Sequence, residues 1–179
     1  MKNYDYQKAL QAIWQKAVDL YQAGNHDGST YFNEAELEFL SSIGASSQEI
    51  FDFAEDFVDG GRPDFTTVAL IHDLRRSYFR EVQNGTTSQE ILDPITLPSM
   101  NSEAEGIRWL PRIIAKAKAK LRGELHPDIM YSCGGDRHFL KTSDIHPAEF
   151  LRVVWENEDN DQATIDWLVR RVKGEAATV

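Results

Sequence analysis

Trp109–Gly123 reads WLPRIIAKAKAKLRG and, after a short loop, Tyr131–Leu140 reads YSCGGDRHFL. In the first of these stretches Leu110, Ile113, Ile114, Ala117 and Leu121 recur at steps of three and four, the period of a helix with one apolar face. Pro111 fits its first turn, where a missing N–H costs nothing, and Gly123 closes it. Arg108, Arg112, Lys116 and Lys120 follow one another at four-residue steps on another face. With Lys118 and Arg122, the span 108–122 carries cations and no acid. A basic amphipathic helix therefore leads into a Gly134-Gly135 loop beside the only cysteine, Cys133. A further helix is expected to begin at Asp136, with that residue as its cap.

Working outward, the same reading finds helices throughout. Tyr6, Leu10, Ile13, Trp14, Ala17, Val18 and Tyr21 lie at helical spacing before Gly24. Asn33 with Glu36 and Ser46 with Glu49 are capping-box patterns, in which each side chain satisfies an orphan backbone donor of the other's end. Asp64 is placed to cap a helix through Val68, Ile71, Leu74, Tyr78 and Phe79 that ends near Gly85. Phe51, Phe53, Phe57, Phe65, Tyr78 and Phe79 read as core. His146-Pro147 and Asp161 look like two later helix starts, the last helix ending at Gly174. No apolar run of period two appears, so strands are not expected.

The prediction is an all-α helical bundle, either one body or two similar helical halves. The halves are residues 1–92 and 106–179, joined by a proline-containing linker at 93–105. At an offset of 100 residues, Tyr31, Phe39, Leu40 and Glu49 meet Tyr131, Phe139, Leu140 and Glu149, and the starts at Ser46 and His146 coincide. Lys16-Ala17 resembles Lys116-Ala117, and Arg75-Arg76 resembles Arg170-Arg171, with insertions. Shared helical spacing also arises from physics alone, so duplication stays open.

The chain has 179 residues and a formal charge of -10, which argues against nonspecific nucleic-acid binding. It has no apolar run long enough for a membrane span and no secretory signal pattern at its start. One cysteine excludes an internal disulfide and suits a reducing, cytoplasmic setting.

Trp109-Leu110, Arg112, Lys116-Ala117, Gly123, Asp136, Phe139-Leu140, Ile145, Phe150 and Trp167 together resemble the bacterial family catalogued as domain of unknown function 5069, over about residues 106–172. The motif is a Trp-Leu-x-Arg-x-x-x-x-Lys-Ala helix followed by Asp-x-x-Phe-Leu. The first half, through ELEFLSSIG, QEIFDFAEDF and RRSYF, resembles an extension of longer members. The resemblance implies a small helical cytoplasmic protein and brings no activity with it. Lys118 stands where members often have Arg, and Cys133 is not carried by the pattern.

Several residues are candidates for chemistry. Like charges at four-residue steps repel by about 0.2–0.5 kcal/mol per pair, so the basic helix needs a counter-charge. That is supplied either internally, by ENEDND at 156–161 or FAEDFVD at 53–59, or by a small anion or acidic protein surface. The expected ligand-binding residues are Arg112, Lys116, Gly134, Gly135 and Asp136, with glycine N–H groups completing an anion seat at a helix start. An Arg112–Asp136 ion pair with no ligand is the competing arrangement. Cys133 is the one candidate nucleophile for an enzyme acting on a small anionic substrate, since a helix start favours a thiolate. Asp136 and His138 lie close in sequence, but loop neighbours seldom converge as nucleophile and base.

Whether the chain is an enzyme is left open, and no cofactor is expected. His26, His72, His126, His138 and His146 are scattered and form no zinc pattern with Cys133. The loop NHDGSTYFNEAE at 25–36 places Asn25, Asp27, Ser29 and Glu36 at calcium-ligand positions of an EF-hand. Against calcium, Asn25 replaces the leading Asp, Thr30 replaces the turn glycine, and Glu36 has a capping role.

Overall fold

A computed structural model describes residues 3–174, leaving 1, 2 and 175–179 outside. The described residues form eight α-helices and one small two-stranded ribbon, as the all-α reading expects. The chain divides into two units, Met1–Ser88 and Gln89–Val179.

The first unit holds α1 (Tyr6–Gln22), α2 (Glu34–Ser42), α3 (Ser47–Gly60) and α4 (Phe65–Glu81). The inward stripe of α1 is Leu10, Ile13, Trp14, Ala17, Val18 and Tyr21, and α1 packs against α3 and α4. Both capping boxes form: Asn33 accepts from the Glu36 N–H at 3.0 Å and Ser46 from that of Glu49 at 3.2 Å, each glutamate reaching back to the cap's own N–H. Asp64 accepts from the Thr67 N–H at 2.9 Å and starts α4, which ends at Glu81, a turn before Gly85. Phe53, Tyr78 and Phe79 are buried. Phe51, Phe57 and Phe65 form a partly exposed rim, with Phe57 and Phe65 against Trp14 and Phe51 edge-on to Tyr21 and Tyr31.

The second unit opens with residues the sequence reading left as linker. β1 (Glu103–Ala104) pairs antiparallel with β2 (Ile107–Arg108), Glu103 facing Arg108. Glu105 and Gly106 connect them, both left-handed with φ 51° and 76°, as a two-residue hairpin of the twist-matching kind requires. Strands were not expected, because two residues per strand are too few to show a period. The Trp109 N–H then bonds the Ser102 carbonyl at 3.0 Å and closes the ribbon.

Four helices follow: α5 (Leu110–Arg122), α6 (Gly134–Thr142), α7 (Pro147–Glu156) and α8 (Asp161–Lys173). α5 packs on α7 and α7 on α8, burying Leu110, Ile113, Ile114, Ala117 and Leu121 together with Phe150, Leu151, Val153 and Val154. Three expected helix starts need correction. α5 begins at Leu110, so Arg108 belongs to the ribbon and the basic helix does not reach 108. The N-cap of α6 is Cys133, and Asp136 is its third residue. The cap of α8 is Asn160, whose side chain accepts from the Ala163 N–H at 3.3 Å, and Asp161 is its first helical residue.

Candidate functional site

The residues that mark the second unit's sequence converge on one carboxylate. Asp136 has no exposed surface. Its Oδ1 accepts from the Trp109 indole Nε1 at 2.9 Å; its Oδ2 accepts from Lys116 Nζ at 2.5 Å and from the Ser132 N–H at 2.9 Å. Lys116 is equally interior, its side chain 4% exposed, and Nζ also lies 3.3 Å from Cys133 Sγ. Helix geometry sets this up. Lys116 stands on the second turn of α5, and Asp136, third in α6, reaches back past Cys133 to the residue before the cap. A buried ion pair is worth its desolvation only when such further hydrogen bonds satisfy the remaining lone pairs.

Trp109 and Gly135 complete the arrangement. Trp109 sits before α5 with φ 74°, an uncommon conformation for so bulky a residue, and this turns its indole over the first turn of α6. A Cβ on Gly135 would lie 2.7 Å from Trp109 Cζ2, so the ring has closed onto the glycine backbone. Gly134 is open, with only an Arg137 guanidinium nitrogen within 4 Å of where a Cβ would be. Ser132 is left-handed at φ 65° and fully buried, its Oγ without a hydrogen-bond partner, while its carbonyl accepts from Arg137 at 2.6 Å. Burial, and secondly the Asp136 charge, push the Tyr131 hydroxyl well above its ordinary range; it donates to the Pro147 carbonyl at 2.7 Å.

Of the expected ligand residues, Lys116, Gly135 and Asp136 share this cluster and Gly134 borders it. Arg112 does not pair with Asp136. It donates to the Pro98 carbonyl at 2.7 Å, tying the start of α5 to the segment before the ribbon. The other cations of α5 find internal partners as well: Lys118 meets Asp161 at 2.5 Å, Arg122 meets Glu158 at 2.7 Å, and Lys120 is buried. The acids at 156–161 are thus one source of counter-charge. Arg108, on the ribbon, is exposed.

Cys133 is half-buried and gives α6 no side-chain cap. His138 is exposed, and no cluster of three or more His, Cys, Asp or Glu suited to a metal occurs among the described residues. The 25–36 loop is occupied by its own contacts. Asn25 accepts from the Asp27 N–H at 3.0 Å, and Asp27 accepts from the Ser29 N–H at 3.1 Å and its hydroxyl at 2.6 Å. Glu36 pairs with Lys16 Nζ at 2.7 Å, with an ammonium where a calcium ligand set would need its cation. That pair and the bond from the Asn33 N–H lower the Glu36 carboxyl against the opposing effect of burial.

Sequence reading missed Trp109 and Ser132 as partners of Asp136. The signal for Trp109 was its place beside Lys116 and Asp136 in the shared motif; nothing in the sequence marked Ser132. With Trp109, Lys116 and Asp136 placed, the core of the motif has a physical sense: it builds the buried carboxylate and two of its donors, while Arg112 ties the start of α5 to Pro98 and Leu140 is buried in α6. The second unit matches DUF5069. The match to this family, described as a domain of unknown function, covers residues 95–178 and takes in the ribbon and α5 through α8. The DUF5069 description names no reaction. No curated protein and no solved structure matches the chain, and no helix among the described residues is long and apolar enough to cross a membrane.

Proposed function

We propose that the protein is a cytoplasmic, noncatalytic binding module that takes a small anion, or an acidic group on a partner, at the amino end of α6. The observation carrying this reading is the start of that helix. Cys133 supplies no capping side chain, and Gly134 and Gly135 are exposed. The first N–H groups of a helix have no intrahelical acceptor and carry the positive end of its dipole. Arg112 and Lys116 add positive charge from α5, although each has an internal partner, so the backbone N–H groups are the direct contacts in this reading and the Lys116–Asp136 pair holds the loop that presents them.

The test is thermal unfolding of the full chain with phosphate or sulfate, against chloride at equal ionic strength. Binding to the folded state raises the midpoint by mass action. Cys133→Asn supplies a side chain that caps the same N–H groups, so it should raise the baseline midpoint and remove the anion response. A wild-type midpoint that follows ionic strength alone overturns the reading.

An enzyme acting on a small anionic substrate is the second reading. It is favoured by one observation, the Lys116 ammonium 3.3 Å from the Cys133 thiol. Selective alkylation of Cys133 by iodoacetamide near neutral pH supports it, and an unreactive thiol removes its nucleophile.

A further inference from the structure

The two units, each taken by itself, repeat one another position by position, at an offset of 100 as far as the start of α3 and α7. α2 spans Glu34–Ser42 and α6 spans Gly134–Thr142, the same length with the same bounds. The turns that follow carry the same hydrogen bonds. Ile43 and Ser143 donate to Leu40 and Leu140, Gly44 and Asp144 to Ser41 and Lys141, and Ala45 and Ile145 again to Leu40 and Leu140, all between 2.9 and 3.2 Å. Gly44 and Asp144 are both left-handed, φ 69° and 52°, a conformation glycine takes freely and aspartate takes only when its surroundings demand it. α3 and α7 then start at Ser47 and Pro147, after side-chain caps from Ser46 and His146.

The register runs back through the first helices without a gap. Leu10, Ile13, Trp14 and Ala17 are buried in α1; Leu110, Ile113, Ile114 and Ala117 are buried in α5. It runs forward through Ile50, Phe53 and Ala54 against Phe150, Val153 and Val154, all buried, with Tyr31 and Tyr131 each 1% exposed. Lys16-Ala17 and Lys116-Ala117 fall in this register with no insertion between them. The offset shifts once, later in the chain. α3 has 14 residues and α7 has 10, a difference of about one turn. Beyond it the caps Asp64 and Asn160, and the buried residues Val68 and His72 against Thr164 and Leu168, stay in step at the shortened offset.

The ion pairs coincide too. Lys16 Nζ meets Glu36 at 2.7 Å, and Lys116 Nζ meets Asp136 at 2.5 Å. In each unit a lysine on the first helix holds the acid third in the second helix, and that acid accepts a backbone N–H from just before its helix: Asn33 in one unit, Ser132 in the other. Generic helical periodicity explains apolar stripes. It does not place a lysine, an acid, a left-handed turn residue and two helix starts at one constant offset.

We infer that the first unit is a second, diverged copy of the helical fold that the family match finds only in residues 95–178, with Lys16–Glu36 as the counterpart of Lys116–Asp136. The inference stands independently of the anion reading. It also locates a divergence: Asn33 caps α2 where Cys133 leaves α6 without a side-chain cap.

The test exchanges equal lengths in the full chain. Residues 131–145 replace residues 31–45 in register; a control replaces the same segment with residues 129–143, shifted by two residues, which turns the apolar positions of the helix about 200° away. Both are followed by thermal unfolding and by hydrogen exchange of the α1 and α3 amides. Equivalent positions predict that the in-register graft keeps α1 and α3 protected and melts well above the shifted graft. An in-register graft that protects α1 and α3 no better than the shifted one overturns the inference, whether both fold or both fail.

Discussion

Lys16–Glu36 and Lys116–Asp136 occupy the same place in two units and live in different media. The first pair has side chains 38% and 22% exposed, the second 4% and 0%. Near solvent, a pair of this kind contributes about 0–1 kcal/mol, because water and salt already screen both charges. In the interior the same attraction is stronger but each charge has been stripped of water, so removing one partner leaves the other stranded. Two identical-looking bonds therefore have very different consequences, and the difference comes from what covers them. Over Asp136 lies the Trp109 indole, which also donates to it; Glu36 accepts from Lys16 at 2.7 Å and from the cap's own N–H at 2.8 Å, with no such ring over it as a donor among the described residues.

The sharpest break is Lys116→Met. Its expected cost is about 3–5 kcal/mol, read as a lowered denaturant midpoint with loss of amide protection across α5 and α6. A cost below about 1 kcal/mol would mean the interior pair behaves like the outer one. Next is Gly135→Ala, which pushes a methyl group into the indole and should cost roughly 1–3 kcal/mol by overpacking. Gly134→Ala meets only the end of a flexible arginine and serves as its control in the same melting experiment.

The first unit should respond to pH through two opposed groups. Burial, and then the charges of Glu49, Glu55 and Asp56, raise the Asp52 carboxyl to about 6 in the folded state despite a hydrogen bond from Gln48. A raised acid binds its proton more tightly when folded, so its contribution to stability falls as pH rises from its ordinary value towards 6 and is flat above. Asp52→Asn should remove that slope and stabilise the chain above pH 6, seen in a series of melting curves. Glu36 acts with the other sign. Its lowered carboxyl contributes stability above the ordinary carboxylate range, and that contribution is lost as pH falls through it. The smallest effect is Lys16→Met at neutral pH, expected to lie within about 1 kcal/mol of wild type by the same denaturant measurement.

Helices were legible wherever a local rule acts. The capping boxes at Asn33 and Ser46, the cap at Asp64, and Gly123 closing α5 each depend on residues a turn or less apart, and each is found as read. The buried site was half legible. Lys116, Gly135 and Asp136 were singled out by charge, turn chemistry and motif, but their relation was not. Arg112 is expected beside Lys116 in an anion seat, with an ion pair to Asp136 as the competing arrangement; its bond to the Pro98 carbonyl instead depends on a connection whose path no local pattern predicts. The ribbon at 103–108 was hidden by its shortness. The repeat was obscured because its two copies agree in burial far more than in residue type: Trp14 answers Ile114, and Phe53 answers Val153.

The turn by which α3 exceeds α7 sets a rule for altering this chain. Four residues advance a helix by about 400°, so the chain leaves the longer helix within roughly 40° of the side on which it leaves the shorter one. Length can therefore change there in whole turns with the connection still starting on the same side of the helix, whereas adding two residues would move that exit by about 200°. Of the junctions in the second unit, the one between α7 and α8 is thus the natural place to lengthen or splice the chain, because it lies after the helices that enclose Asp136 and leaves their order and spacing untouched.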